Sequence, residues 1–254
     1  MTEKRRVFNE PCYLLHQRAY SETSLLLEIF SRNYGRMTAV AKGVKRKKSR
    51  TLGILVPFQS LIVAWSGRGD VKTLTNAESL TLRREIESER LFCGYYINEL
   101  ILRMLHRNDP HEVLFGAYEL ALEGLIRETD LERTLRIFEK RLLQELGYGL
   151  HLSNDTLTGA AIESSARYRY VAELGPVIDN GEEGVGVMLH GESLQALRDE
   201  EQFSDLHRRE LKRLTRVTLD RHLEGRPLHS RGLFSRLFPQ DNEQTDLGKS
   251  QAAG

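Results

Sequence analysis

The chain has 254 residues, 40% of them hydrophobic and 29% charged, which is one or two domains with enough apolar material for a packed core and excludes a wholly disordered chain. Lys and Arg number 37 against 36 Asp and Glu, and the resulting net charge of +1 excludes a simple polycation. No run approaches the roughly 18 apolar residues of a membrane span, residues 1–18 lack the apolar core and small-residue cleavage site of a leader, and two distant cysteines, Cys12 and Cys93, build neither a disulfide framework nor a zinc ribbon.

A cytoplasmic protein is the default expectation. The first 80 residues read as short strands, over 12–16, 24–30, 37–41, 61–65 and 71–76. Asn33-Tyr34-Gly35 reads as a turn and Ser66-Gly67-Arg68-Gly69-Asp70 as a tight hairpin loop. Five short strands in so little chain predict a small closed barrel, because closure removes exposed strand edges.

Beyond Leu80 the period becomes helical. Leu91, Tyr95, Asn98, Leu102 and Leu105 recur at helical spacing, as do Leu114, Tyr118, Ala121 and Leu125. Asp130 is placed to N-cap a third helix that carries Leu135, Phe138, Leu142 and Leu146 inward and stops at Gly147. Residues 148–190 are rich in Gly and Ser and read as irregular, with one short hairpin (168–171 and 185–189). A short helix is expected over 193–198, a longer one over 206–223 and another over 230–238, with a disordered tail over 239–254. The fold expected is α+β: an N-terminal five-stranded barrel over 1–80, then a mostly helical domain over 81–238.

Nothing in the chain asks for catalysis. Histidines at 16, 106, 111, 151, 190, 207, 222 and 229 form no HExxH or other tight ligand pair, and no Walker A or GxSxG sequence is present. Ser66–Asp70 has two glycines but lacks the third of a dinucleotide fingerprint and opens no helix. No metal and no cofactor are expected.

Charge is divided along the chain. Residues 1–80 hold 14 basic and 6 acidic residues, and 81–254 hold 23 and 30. Between Ile29 and Gly69 stand Arg32, Arg36, Lys42, Lys45, Arg46, Lys47, Lys48, Arg50 and Arg68, with no acid among them. That one-sided density is the footprint of a nucleic-acid or anionic-surface binder, although a solvated loop carries the same residues. Arg32, Arg36 and Lys42 are expected to line a barrel face, with 45–50 on a connection that stays mobile until phosphate orders it. Tyr20, Tyr34 and Trp65 interleave with these cations as candidate stacking platforms. Trp65 ends an apolar strand and reads as core; Tyr34, in its turn, is the preferred platform. Two further basic faces lie in the helical part: Arg133, Arg136 and Lys140 at i, i+3, i+7, and Arg209, Lys212 and Arg216. A plain solvated face explains either equally well.

An ordered set of short motifs carries a resemblance. It comprises Tyr20-Ser-Glu-Thr-Ser-Leu-Leu-Leu, Gly35-Arg36, Val40-Ala-Lys-Gly43 with its basic run, Pro57-Phe58-Gln59 and Trp65-Ser-Gly-Arg-Gly-Asp-Val-Lys-Thr-Leu74. Tyr96-Ile-Asn-Glu-Leu100, Leu146-Gly-Tyr-Gly149, Tyr168-Arg-Tyr170 and Pro227-Leu-His-Ser-Arg231 continue it. From about residue 10 to 238 the chain resembles the RecO family of bacterial DNA repair and recombination proteins. The resemblance implies an N-terminal OB-fold followed by a helical domain, with no catalytic site. It implies binding of single- and double-stranded DNA, annealing of strands coated by single-stranded-DNA-binding protein, and action with RecR to help load RecA. The family's docking of the acidic, Phe-ended tail of the single-strand-binding protein makes Arg133, Arg136 and Lys140 the first candidates for that contact. Arg209, Lys212 and Arg216 are second. Some members carry a four-cysteine zinc site after the Leu-Gly-Tyr-Gly motif; residues 151–170 here contain no cysteine, so that site is absent and packing alone is expected to hold the segment. The implied setting is the cytoplasm, at the nucleoid. An RNA-binding OB-fold accessory protein is the alternative, with the 2′-hydroxyl as discriminator, and an enzyme with its pocket in the helical domain is a third.

Overall fold

The structure is a computed structural model that describes residues 6–47, 49–81, 86, 88–127, 129–223 and 225–232. Five strands, β1 (Arg6–Ala19), β2 (Leu25–Ser31), β3 (Gly35–Ala41), β4 (Ser60–Ser66) and β5 (Val71–Ser79), close a barrel in the order β1-β2-β3-β5-β4. All neighbours are antiparallel except β3 and β5. This is the OB-fold path. Leu14, Leu27, Ile29, Met37, Ala39, Leu61, Val63 and Trp65 fill the interior.

β1 is far longer than the expected 12–16. Its first half pairs with β4 and its second half with β2, and register breaks at Val7/Glu10 and Leu14/His16 bend it around the barrel. Its polar ends conceal it from an alternation test. β2 reads as an almost unbroken apolar run because it is buried on both faces: Leu25, Leu27 and Ile29 face the barrel, and Phe30 faces the helices.

Helices α1 (Ser88–Met104) and α2 (Glu112–Arg127) pack on the outer face of β1 and β2, and α3 (Leu131–Glu145) packs on those two helices and shares their core. Tyr13, Leu15 and Phe30 project into a cluster with Phe115 and Tyr118, whose rings meet at 5.0–5.9 Å in tilted and edge-on arrangements. Burying each such side chain is worth about 1.5–3 kcal/mol. In α1 the buried stripe is Cys93, Tyr96, Ile97, Leu100 and Ile101, whereas Tyr95, which shares helical spacing with Leu91 and Asn98, faces outward. Phe58 holds a left-handed backbone (φ 67°) and lies against Gly94, where an added Cβ would come within 2.9 Å of its ring. Asp130 N-caps α3 by accepting from Arg133 N, as expected. Gly147 (φ 82°) closes the helix, with its own N–H on Gln144 O and Tyr148 N–H on Leu143 O, the paired bonds of a Schellman motif.

Several residues that carry the resemblance turn out to be joints. Asn98 donates to Leu15 O of the barrel at 2.8 Å and accepts from the Tyr118 hydroxyl at 2.7 Å. Tyr96 donates to Glu139 at 2.6 Å. Glu99 accepts from His229 N, Ser230 N and Ser230 Oγ, capping the helical turn over 229–232. Thus Tyr96–Leu100 and Pro227–Arg231, distant in sequence, are one structural unit. The rest of the helix expected over 230–238, and the tail over 239–254, lie outside the described residues.

The segment read as irregular with one hairpin contains three strands, β6 (Arg167–Val171), β7 (Gly175–Ile178) and β8 (Val187–His190), ordered β7-β6-β8. β7 escapes the sequence pattern because it is four residues long and includes Pro176. Val185 lies in the loop, not in β8, and is 91% exposed. With α4 (Gly191–Asp199) and α5 (Asp205–His222) these strands enclose a third core of Leu152, Ile162, Tyr168, Tyr170, Leu197 and Leu211.

Packing is not alone in holding this segment. The buried Asp155 carboxylate accepts from Leu157 N, Thr158 N, Thr158 Oγ and Ile178 N, at 2.6–3.0 Å, and so pins the 155–159 turn to β7. Tyr168 and Tyr170 add hydroxyl oxygens that accept from Glu163 N and His151 N.

Candidate nucleic-acid interface

Of the ten barrel residues named from the sequence, the nine that the structure describes fall in four places. Lys42, Lys45, Arg46, Lys47 and Arg50 lie on the connection from β3 to β4, all exposed and none in an ion pair with a described residue. Lys48 lies outside the described residues. The connection is folded rather than loose: Gly43 turns it (φ 72°), Val44 plugs the barrel interior, and Arg46 N and Ser49 N donate to Gly43 O and Arg46 O. Lys45 N donates to Thr23 O at 3.1 Å, tying the loop to the β1–β2 turn. The backbone is therefore held while the cationic side chains stay in water. Like charges so close raise the local potential, and partners with closely spaced negative charges gain most from it.

Arg32 and Arg36 do not belong to that surface. Arg32 sits in the β2–β3 turn, with its guanidinium 5.2 Å from the Phe115 ring centroid and 3.5 Å from Glu119 of α2. Arg36 donates to Leu105 O and pairs with Glu28 at 3.3 Å; Glu28 also takes Thr38 and Arg107. Burial lowers the Arg36 pKa from its ordinary value, and Glu28 works against that shift. Both arginines clamp the barrel to the helices, because the strand face expected to be open is covered by α1 and α2. Gly35 allows this closeness: its φ is 66°, and an added Cβ would fall 1.8 Å from Asp109 O.

Tyr34 is partly buried against the barrel core, its ring edge-on to Trp65 at 5.1 Å. Trp65 is core, as expected. Arg68 is exposed on the β4–β5 hairpin, next to the start of β5. β3 pairs with β5 from Thr38↔Val71 to Ala41↔Leu74, which puts that hairpin at the opposite end of β3 from Lys42.

Arg133, Arg136 and Lys140 form no free cationic face. Arg136 is buried and pairs at 2.6 Å with the fully buried Glu139. Arg133 donates to Glu200 O and Glu201 O, and Lys140 to Leu197 O and Arg198 O, so both satisfy the carboxyl end of α4. Glu200, in a left-handed C-cap, pairs with Lys140 and Arg141. The end of α4 thus occupies Arg133 and Lys140, whereas Arg136 lies beside Glu139, which also accepts from Tyr96 of α1.

Arg209, Lys212 and Arg216 are exposed along α5. Lys212 reaches Glu132 at 3.0 Å and Arg216 reaches Asp220 at 3.8 Å, both exposed pairs of small energetic weight. The sequence reading missed Arg213, exposed one turn beyond Arg209, although i+4 spacing identifies it. It also missed Arg18, exposed on β1 opposite Leu26, because it stands outside the acid-free stretch and only strand register brings it near the loop. Val217, half exposed, adds an apolar contact to the α5 stripe.

Among the described residues, no three His, Cys, Asp or Glu side chains are grouped to hold a metal ion, and no helix is long and apolar enough to cross a membrane. Burial pushes the Cys93 thiol up to about 12, and Cys12 is shifted further in the same direction.

Comparison with known proteins agrees with this architecture. The family model described as "Recombination protein O N terminal" matches residues 5–83, and "Recombination protein O C terminal" matches residues 87–232. The DNA repair protein RecO of Nitrosococcus oceani is 44% identical over 232 residues, 91% of this chain and 94% of the relative. That of Methylococcus capsulatus is 44% identical over 229 residues, 90% and 93% of the two chains. That of Dechloromonas aromatica is 44% identical over 246 residues, 93% and 99%. Barrel, helical domain and near full-length identity lead to one conclusion: the chain belongs to the RecO family of DNA repair proteins.

Proposed function

We propose that this chain is a non-catalytic recombination mediator that binds single- and double-stranded DNA through its barrel loop. It anneals complementary strands coated by single-stranded-DNA-binding protein and acts with RecR to help load RecA, in the cytoplasm at the nucleoid. The observation that carries this reading is the loop of Lys42, Lys45, Arg46, Lys47 and Arg50, held by Val44 and free of described counter-ions. Each phosphate that these groups neutralise releases condensed cations, so affinity must fall as salt rises.

The α5 stripe supplies a second cationic surface. Two such surfaces on one molecule neutralise two strands and lower their mutual repulsion; pairing itself is downhill and needs no nucleotide. Arg209, Lys212 and Arg216, with Val217 beside them, are also the cations left to receive the acidic, Phe-ended tail, since Arg133, Arg136 and Lys140 are engaged within the fold. Tail docking would hold the protein on coated DNA and raise its effective concentration there.

The test is fluorescence anisotropy of a labelled single-stranded oligonucleotide across a salt series. Wild type is compared with a variant in which Lys45, Arg46, Lys47 and Lys48 are all changed to Ala. Four lost single-strand phosphate contacts reduce the log–log salt slope by about 3. An unchanged slope would remove the loop from the interface and the carrying observation with it.

A further inference from the structure

Among the described residues, Phe8 and Tyr20 are the aromatic side chains more than three-fifths exposed, at 66% and 63%. Neither has a ring, cation or side-chain hydrogen-bond partner among the described residues. The other exposed rings are occupied: Tyr95 lies edge-on to Phe58, and Tyr148 stacks on His222 at 3.8 Å. Phe8 and Tyr20 stand at opposite ends of β1.

Register brings one of them to the cationic loop. Ala19 pairs with Leu25, and Leu25 pairs with Ala41, so the ends of β1, β2 and β3 are aligned. The next residues, Tyr20, Ser24 and Lys42, therefore follow one another across the sheet. Tyr20 N donates to Ser24 O at 3.1 Å, which fixes the backbone that carries the ring. At about 4.8 Å per strand, Tyr20 and Lys42 lie about 10 Å apart. Thr23 O, in the same turn, receives Lys45 N. Arg18 is exposed on the outer face of β1 two residues before Tyr20, and Glu22 is the acid in the turn.

We propose that Tyr20 is the stacking platform of this surface, so that the loop end of the barrel takes single-stranded DNA with one unpaired base on the Tyr20 ring and its phosphates on Arg18, Lys42 and Lys45. The inference rests on the DNA-binding reading above and assigns the ligand at that site. Burying an aromatic ring in water's place is favourable, and every base has a face that can cover it. A base inside a duplex has both faces covered already. This end of the barrel therefore distinguishes single strands from duplex without reading sequence. Tyr34, whose ring is engaged by Trp65, does not serve.

The experiment measures the affinity of the full chain for a 15-nucleotide oligo-dT and for an abasic chain of equal length. The variants are Tyr20→Ala, Tyr20→Phe and Phe8→Ala. Stacking of one base predicts a loss of about fivefold or more for oligo-dT in Tyr20→Ala and no loss for the abasic chain. Tyr20→Phe keeps the ring and the affinity, and Phe8→Ala binds both ligands as wild type does. Equal losses for the two ligands, no loss for oligo-dT, or a base-dependent loss in Phe8→Ala instead would each overturn the assignment. The salt slope separates the two proposals. A silent Tyr20→Ala with a wild-type slope removes only the platform, whereas a wild type without salt-dependent binding removes the DNA-binding reading and the platform together.

Discussion

Replacing Asp155 by Ala withdraws one carboxylate from four donors, of which Leu157 N, Thr158 N and Ile178 N are backbone groups. Thr158 Oγ is able to turn toward water, but the three amides are left in a partly buried pocket. At about 1 kcal/mol or somewhat more per stranded donor, the substitution costs about 3–4 kcal/mol, concentrated in the β6–β8 unit. Asp155→Asn costs about half as much, because its carbonyl oxygen replaces the carboxylate toward 157 and 158 while its NH2 opposes Ile178 N.

The pH dependence has a definite sign. Burial by itself raises the Asp155 pKa, but the bonds from Thr158 and Ile178 N outweigh it and hold the carboxyl below its usual range. A folded pKa below the unfolded value of about 3.9 means the contribution is complete above about pH 4. It is lost as pH falls through the lower folded value. The assay is urea unfolding by circular dichroism from pH 3 to 7, with amide exchange followed over residues 155–178. Asp155→Ala lowers the midpoint at pH 7 and flattens the acid limb, and a chelator changes neither protein. A cost below about 0.5 kcal/mol, or a wild type that a chelator destabilises, would refute the view that this carboxylate does the organising here.

Two other substitutions probe the joints. Gly35→Ala places a methyl group against the Asp109 carbonyl and forces Ala into left-handed backbone; strain of about 1–2 kcal/mol, plus weakening of the Asn108 N to Arg36 O bond, lowers stability by about 2–3 kcal/mol. Faster proteolysis over 105–110 reports that loosening, and an unaltered melting temperature with unaltered cleavage would contradict it. In the buried Arg136–Glu139 pair, Arg136→Met strands a carboxylate that also accepts from Tyr96 and costs about 3–5 kcal/mol. Arg136→Met combined with Glu139→Leu recovers most of that loss in denaturant titrations; additive losses would mean the two charges do not depend on each other.

The barrel strands, the long helices α1, α2, α3 and α5 and the cap at Asp130 were legible because each is written in local periodicity or in a single capping residue. The ends of β1 and the whole of β7 were not, since a strand's polar margins and a four-residue segment with a proline carry no alternation. The cationic loop was legible as composition. Which of its neighbours join it was not: Arg32, Arg36 and Arg136 look the same in sequence as Lys45 or Arg213.

By itself the sequence determined an OB barrel followed by helices, an acid-free basic stretch, and motifs sufficient to assign the family. Tertiary structure alone decided that α1 and α2 cover the outer face of β1 and β2, turning two arginines into clamps, and that α4 consumes Arg133 and Lys140 while Glu139 takes Arg136. It also decided that Tyr20, rather than Tyr34, stands bare beside the loop. The reason is physical: periodicity reports which side a residue faces, whereas a charge or a ring is free for a ligand only if nothing distant in the chain has packed against that side.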